Sequence, residues 1–518
     1  MDERLAAAWR QLPDFLGWHV LLSASALALG ALVSLPLAVA ASRHPRLRWP
    51  VLAGAGLIQT VPSLALLALF FPLLLALSNL AKALFGVGFS ALGFLPSLLA
   101  LALYSMLPML RNTSAGLAGV APALTEAARG VGMTDRQMLF EVELPTAAPV
   151  IMAGVRTAAV WTIGAATLST PVGQTSLGNY IFSGLQTENW VAVLFGCAAS
   201  AALALVVDQL LGLAEAGLAR RDWRRIAAGA GGLALALAAA VAPLAVRALE
   251  PRPYVVGAKN FSEQYILAEL MSRRLERGGA RVARKEDLGS VIAYRALAGG
   301  EIDAYVDYSG TLWTTVLNRD DHPPRAVLLQ HLGEILAERD GVRLLGPLGF
   351  ENAYALAMRR DRARALGIAS LDDLARKAPS LTLGADLEFL SRPEWRTLKA
   401  AYGLRFKTQR QFQPTFMYRA LAGGDVDVIT AFSSDGRIAA DDLVVLADPR
   451  GAIPPYDAVI LISPQRAGDR RLIDALGPLV GRVSVEAMRR ANYSVDRDKG
   501  KVAPAQAAAA LEAGLGGR

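Results

Sequence analysis

The sequence predicts two folds in one chain: an all-α transmembrane domain of six helices over residues 18–249, followed by an α/β domain of two similar lobes over 254–518. Three observations carry this. Apolar runs long enough to cross a hydrocarbon core, which takes about 20 helical residues, crowd the first half of the chain and then stop. Beyond them the pattern changes to short strands alternating with amphipathic helices, as α/β layers require. Within that second half a ten-residue segment recurs: Tyr294 to Asp303 reads YRALAGGEID and Tyr418 to Asp427 reads YRALAGGDVD, at an offset of 124 residues.

At 518 residues the chain exceeds a single domain. Lys and Arg number 53 against 45 Asp and Glu, a formal charge of +8. This excess is spread out and mostly Arg, so no nucleic-acid partner is expected. The single cysteine, Cys197, lies in an apolar run. No disulfide can form within the chain, and an outer domain must rely on its core alone. Residues 1–17 read as a polar, amphipathic leader. The first apolar run begins near His19 with no basic segment before it, so no cleavable signal is expected.

The six spans fall at about 19–41, 51–77, 91–110, 147–170, 190–214 and 226–248. Pro36, Pro62, Pro96 and Pro108 read as kinks and close-packing points. Arg156 and Asp208, in spans four and five, are placed to snorkel or to pair. Arg43, Arg46, Arg48, Arg111, Arg129, Arg136, Arg220, Arg221, Arg224 and Arg225 all fall in connections on one side. The positive-inside rule makes that side cytoplasmic. Both termini and the α/β half are then outside, held close to the membrane by the short stiff connection 250–253.

Between spans three and four lies a polar loop, residues 112–146. Glu126, Ala127 and Ala128 are followed by Gly132, then at a longer interval by Val142, Leu144 and Pro145. Small residues admit a close approach by another surface, Gly132 gives a permissive turn, and Pro145 is expected to end the second of two short helices. The spacing resembles the E-A-A-x3-G-x9-I-x-L-P loop of binding-protein-dependent ABC importer permeases, with Val142 in place of Ile. The resemblance implies that Glu126, Ala127, Ala128, Gly132, Leu144 and Pro145 dock on a cytoplasmic ABC ATPase.

The repeat organises the outer half. VVGA at 255 is matched by TLGA at 382, and ARVARKEDL at 280 by LRFKTQRQF at 404, so each lobe reads as strand, helix, strand, helix, strand with a mainly parallel sheet. Lobe 1 is assigned 254–350 and 461–518, and lobe 2 is assigned 351–460. Segments 351–358 and 453–460 read as hinge strands. Ligand loops belong at the carboxyl ends of the strands. There the chain offers Asn260, Phe261, Ser262 and Glu263; Tyr308, Ser309 and Thr311; Tyr354; Glu388 and Phe389; Arg392; Phe432 and Ser433; and Tyr456, with Tyr418 on the repeated helix as the weakest candidate. Aromatic faces attract quaternary ammonium, and an arginine fork suits a carboxylate. Together they would hold a small zwitterionic or cationic ligand.

The motifs GAKNFSEQYILAE, GEIDAYVDYSGT, LTLGADLEFLSRPEW, SSDGRI and PPYDAV resemble the type II periplasmic-binding-protein domains of glycine betaine, carnitine and choline importers, the osmoprotectant group. Carried across by position, the resemblance implies that Asn260, Phe261, Ser262, Tyr308, Thr311, Arg392 and Tyr456 line the ligand cleft, with Glu388 and Phe389 in its E-F-x2-R pattern. The sequence departs at Pro393, Glu394 and Trp395, where Asp-Gly is frequent. Fusion of permease and receptor in one chain also resembles bacterial ergothioneine importers.

The leading reading is therefore an ABC importer subunit of the bacterial inner membrane, pairing as a homodimer because six spans make half a translocation path. No G-x4-G-K-[ST] segment is present, so ATP is expected on the partner ATPase, with no cofactor, metal or catalytic residue in this chain. A membrane-anchored sensor would need an output domain. An enzyme would need a nucleophile motif or a metal cluster, and the outer half offers neither.

Overall fold

The structure, a computed structural model, describes residues 3–515 except 87, 188, 249–251, 320, 322, 498 and 499. The connection read at 250–253 therefore falls partly outside the described residues. The chain divides into two units, Met1–Phe182 with Trp190–Pro251, and Ser183–Asn189 with Arg252–Arg518.

Helices build the first unit: α1 (Glu3–Arg43), α2 (Pro45–Thr60), α3 (Ser63–Phe85), α4 (Phe94–Ala118), α5 (Pro122–Gly130), α6 (Asp135–Gln137), α7 (Leu144–Ala166), α8 (Gly178–Gln186, of which 183–186 belong to the second unit), α9 (Trp190–Arg220) and α10 (Trp223–Ala248). Among the described residues, six helical stretches are long and apolar enough to span a membrane, and they contain α1, α3, α4, α7, α9 and α10. The segment read as a leader is helical and continuous with α1. Its Leu12, Phe15 and Leu16 pack on Ala8, Leu177 and Tyr180, so the apolar stripe extends upstream of His19. The span read as 51–77 is two helices. Val61 is extended (φ −74°, ψ 127°) and closes α2, because a residue that precedes proline is pushed out of the helical region.

Spans α7 and α9 are joined by charge. Arg156 donates from Nε and Nη2 to the two oxygens of Asp208 at 2.6 and 2.7 Å, and from Nη1 to Glu215 at 3.4 Å. Gly212 lies one turn from each acid. A Cβ there would meet the guanidinium at 3.1 Å, so the glycine leaves the notch in which Arg156 sits.

Among the described residues the second unit holds ten strands: β1 (Tyr254–Lys259), β2 (Val282–Leu288), β3 (Ala304–Tyr308), β4 (Arg343–Glu351), β5 (Tyr354–Arg359), β6 (Thr382–Ala385), β7 (Thr408–Gln411), β8 (Val428–Phe432), β9 (Leu443–Val445) and β10 (Asp457–Ile462). They form two five-stranded sheets, ordered β2-β1-β3-β10-β4 and β7-β6-β8-β5-β9. The repeat supplies the matching trios β2-β1-β3 and β7-β6-β8, all parallel. The remaining pairs are antiparallel, so both sheets are mixed rather than mainly parallel.

The repeat is physical as well as textual. Asp303 accepts from the Val255 amide at 2.8 Å while its own amide donates to Val255 O at 2.7 Å. Asp427 does the same at Thr382, at 3.0 Å in each direction. The last residue of each repeat thus clamps the middle strand of its parallel trio. Gly300 and Gly424 take φ of +76° and +78°, the left-handed turn that ends a helix and that side chains resist.

β10 is buried at all six positions and pairs with β3 on one side and β4 on the other. The first lobe therefore resumes at Asp457 rather than 461, and β4 keeps Glu351 in the first lobe. The second lobe is the continuous segment 352–456, with its crossings at Asn352–Ala353 and just before Asp457. The helix Ser262–Arg277 packs Ile266, Leu267, Leu270, Met271 and Leu275 into the core, each contributing about 2 kcal/mol. Arg273, Arg274 and Arg277 gather on Glu512 of the last helix.

Candidate ligand cleft and coupling loop

The loop between the third and fourth spans starts with α5 and turns at Gly132, whose φ is +84°. Thr134 and Gln137 then form a capping box. A π turn, Met138–Glu143, runs unbroken into α7. Pro145 consequently does not end the second helix as the sequence suggests; it lies in the first turn of α7. Its ring and missing N–H disturb the carbonyl four residues earlier, which the wider π turn accommodates. Glu126, Ala127, Gly132 and Pro145 are exposed, Leu144 is half-buried and Ala128 faces inward. Leu124, Val131 and Phe140 add exposed apolar surface beside them. Glu143, in the π turn, forms an ion pair with Arg43 at the end of α1.

In the second unit a cleft of about 290 Å³ is lined from both lobes. Five rings run along it in sequence: Tyr308 to Phe261 at 6.2 Å between centroids, Phe261 to Phe432 at 6.3 Å, Phe432 to Tyr354 at 5.0 Å and Tyr354 to Tyr456 at 5.7 Å. Tyr308 and Phe432 end β3 and β8 at repeat-equivalent places, which is why both reach the cleft. Phe261 caps the helix Ser262–Arg277, and Tyr456 directly precedes β10. Asn260, Ser262, Thr311 and Arg392 also line the cleft.

Beneath the rings is a buried acid. Glu263 accepts from Tyr308 Oη at 2.6 Å, Asn352 Nδ2 at 3.0 Å and Asn492 Nδ2 at 2.7 Å. Burial pushes its carboxyl up, and hydrogen bonds from Ser434 and these donors pull the other way without cancelling it. Lys259, also in the wall, pairs with buried Asp307 and lies 5.0 Å from the Tyr308 ring centroid. Arg437 engages both oxygens of Asp435, at 3.2 and 2.9 Å. Asp496 accepts from Ser262 Oγ at 2.5 Å.

Arg392 reaches the cleft already engaged. Its Nε and Nη2 donate to the two oxygens of Glu394 at 3.2 and 3.1 Å, and Nη2 also approaches Thr311 Oγ1 at 3.3 Å and Tyr456 Oη at 3.4 Å. Arg392 is extended (φ −78°, ψ 154°) before Pro393, which opens the helix Pro393–Tyr402. That bend brings positions 392 and 394 onto one side. Burial pushes the Glu394 carboxyl up, but the Arg392 charge and the hydrogen bonds from Arg392 and Tyr456 outweigh it and leave it below its ordinary value. Glu394 also accepts from Thr314 Oγ1 at 2.9 Å.

Four expected residues stand outside the cleft lining, and a fifth is described by its backbone alone. Ser309 is buried, donating to Pro455 O at 3.0 Å and accepting from the Asp457 amide at 2.9 Å. Ser433, its repeat equivalent, accepts from the Ala353 amide at 2.9 Å and donates to Glu351 O at 3.2 Å. Both hydroxyls brace the chain crossings instead of facing the cleft. Phe389 is fully buried and supports Tyr354 at 5.0 Å. The side chain of Glu388 lies outside the described residues. Tyr418 is buried, with the Arg437 guanidinium 4.0 Å from its ring centroid.

Sequence reasoning missed Asn352, Asp386, Ser434, Asp435, Arg437, Asn492 and Asp496. The offset of 124 residues carries Gly310 and Thr311 onto Ser434 and Asp435, a signal that was available. Asn492 and Asp496 come from a late helix with no repeat partner, and no signal marked them.

Comparison with known proteins agrees with this division. Residues 252–513 match the substrate-binding domain of ABC-type glycine betaine transport systems, and residues 30–220 match the binding-protein-dependent transport system inner membrane component. The chain is 29% identical over 454 residues to the ergothioneine transport permease/ergothioneine binding protein of Helicobacter pylori, covering 85% of this chain and 79% of that one. It is 39% identical over 208 residues to a choline transport system permease of Bacillus subtilis, covering 40% of this chain and 88% of the relative. A solved structure titled as a glycine betaine/carnitine/choline ABC transporter is 27% identical, covers 50% of this chain and 98% of its own, and has a TM-score of 0.45. These are transport proteins rather than enzymes. The chain belongs to the inner-membrane permeases of binding-protein-dependent ABC importers, and carries in the same polypeptide a substrate-binding domain of the glycine betaine transport family.

Proposed function

We propose that the chain imports small quaternary-ammonium solutes of the glycine betaine, choline and carnitine class, its second half acting as the receptor and its first as the pore. Family membership gives it a membrane location and a partner ATPase. Two copies assemble the path, with ATP bound and hydrolysed on the partner and no cofactor in this chain. The coupling loop is cytoplasmic, where the arginines of its side belong. Both termini and the receptor are outside, on the inner membrane of a bacterium. Ligand closes the lobes about their crossings. The single observation that carries this reading is the row of five rings shared by both lobes above a buried acid, which suits a cation unable to donate hydrogen bonds.

In this reading Asn260, Phe261, Ser262, Tyr308, Thr311, Tyr354, Arg392, Phe432 and Tyr456 meet the ligand, while Ser309, Phe389 and Ser433 support them. A second reading, ergothioneine import, is favoured by one observation: the Helicobacter pylori relative matches both halves of the chain. Calorimetric titration of the full chain in nanodiscs with choline, glycine betaine, carnitine and ergothioneine tests both. Binding of at least one, weakened roughly tenfold or more by Tyr308→Ala, is the expected result. Binding of ergothioneine alone moves the assignment to the second reading, and binding of none rejects both.

A further inference from the structure

We infer that Glu394 sets the charge class of the ligand: by occupying the fork of Arg392 it favours a trimethylammonium cation without a carboxylate, such as choline, over a betaine-type zwitterion. The inference rests on the functional reading above and narrows it.

Among the described residues three cationic side chains line the cleft, and each already faces a carboxylate. Lys259 is paired with Asp307, Arg437 with Asp435, and Arg392 with Glu394. The Arg392 pair matters most. The two edge atoms a ligand carboxylate would engage, Nε and Nη2, are directed at the two oxygens of Glu394. Both partners are at least nine-tenths buried, at 5% and 1% side-chain exposure, where like charges repel strongly and an ion pair is costly to open. Tyr456 and Thr314 hydroxyls hold Glu394 in place from other directions. A zwitterion would have to displace this carboxylate or lie against it.

The surrounding charge points the same way. Glu263, Asp386 and Asp496 also line the cleft, so six carboxylates stand against three cations when the partners Asp307 and Glu394 are included. With Glu263 and Asp496 both protonated the balance is still negative. A ligand cation is favoured by this field, and an added carboxylate is not.

Choline and glycine betaine make a matched pair of probes, sharing a trimethylammonium head on a two-carbon frame and differing in hydroxymethyl against carboxylate. The full chain in nanodiscs is titrated with each, as wild type, Glu394→Gln, Glu394→Asp and the double variant Arg392→Gln/Glu394→Gln. Choline is expected to bind the wild type at least tenfold more tightly. Glu394→Gln, which releases the guanidinium while keeping the shape, should shift the betaine-to-choline ratio of Kd at least tenfold toward betaine. Glu394→Asp and the double variant, which leave no uncompensated cation, should return the ratio to near the wild-type value. Betaine binding the wild type as tightly as choline overturns the inference but leaves quaternary-ammonium import standing, and this comparison stands even if Glu394→Gln does not fold. A ratio unchanged in a folded Glu394→Gln protein also overturns it. Binding of neither probe to folded wild type removes the inference and the functional reading together.

Discussion

Burial lifts the Asp496 carboxyl to about 6, against the pull of Arg437, with Asp435 adding to the rise and the Ser262 hydroxyl and Lys501 opposing it. A carboxylate raised in this way is ionised above pH 6 and neutral below it, so its attraction for a bound cation fades as pH falls. Affinity for choline is therefore expected to drop about three- to tenfold between pH 7 and pH 5. Glu263 has the same sign, its carboxyl also being pushed up by burial, so the contribution of Asp496 is read as the difference from Asp496→Asn, whose profile should be flatter. Identical profiles in titrations at pH 5, 6 and 7 would show that Asp496 does not face the ligand. At this scale the sequence was legible where chemistry and strand ends coincide, as at Phe261, Tyr308, Phe432 and Tyr456. It was not legible at Ser309 and Ser433, because small hydroxyls serve a ligand or a nearby amide equally well and only the path of the chain decides. Glu394 was visible as a departure from a pattern, yet its pairing with Arg392 depends on the bend at Pro393.

Between elements, three ion pairs fasten one continuous helical stretch. Asp135–Val172 carries Glu143, which holds Arg43 of α1, and Arg156, which holds Asp208 and Glu215 of α9. A displacement of the coupling loop therefore acts on three spans at once instead of being absorbed at a break before Pro145. The tie to α9 depends on the notch at Gly212, and Gly212→Leu is expected to expel the guanidinium. Uptake of ligand into proteoliposomes containing the complete transporter should fall at least roughly tenfold, since the charges that tie α7 to α9 would be left without their partner inside apolar spans, while ligand affinity of the receptor half stays unchanged. Loss of both, or of neither, would contradict this transmission. The sequence revealed Arg156 and Asp208 as charges inside apolar spans. It did not reveal the unbroken helix, since a π turn has no residue signature to set against a proline that reads as a helix end.

Across the whole molecule, hydropathy marked six spans and the repeat marked two lobes, because both signals are periodic and survive local exceptions. Less visible were the division of one apolar run at Pro62, the mixed sheets and the residues at which the lobes exchange chain, all of which depend on tertiary pairing. The topology has its own check. In a Cys197→Ser background, Arg129→Cys should react with an impermeant maleimide only from the cytoplasmic face and Arg364→Cys only from the outer face. Labelling of both from one face would rule out import by this arrangement. The pairing of Glu351 with Asp457, at the adjacent ends of β4 and β10, has a further consequence. Topologically the whole second lobe is the enlarged tip of a β-hairpin, and a two-residue turn could replace it without cutting any strand of the first sheet. Such an inserted module can swing on two neighbouring threads of backbone, and its binding face can diverge through evolution while the scaffold that carries it keeps its own hydrogen bonds.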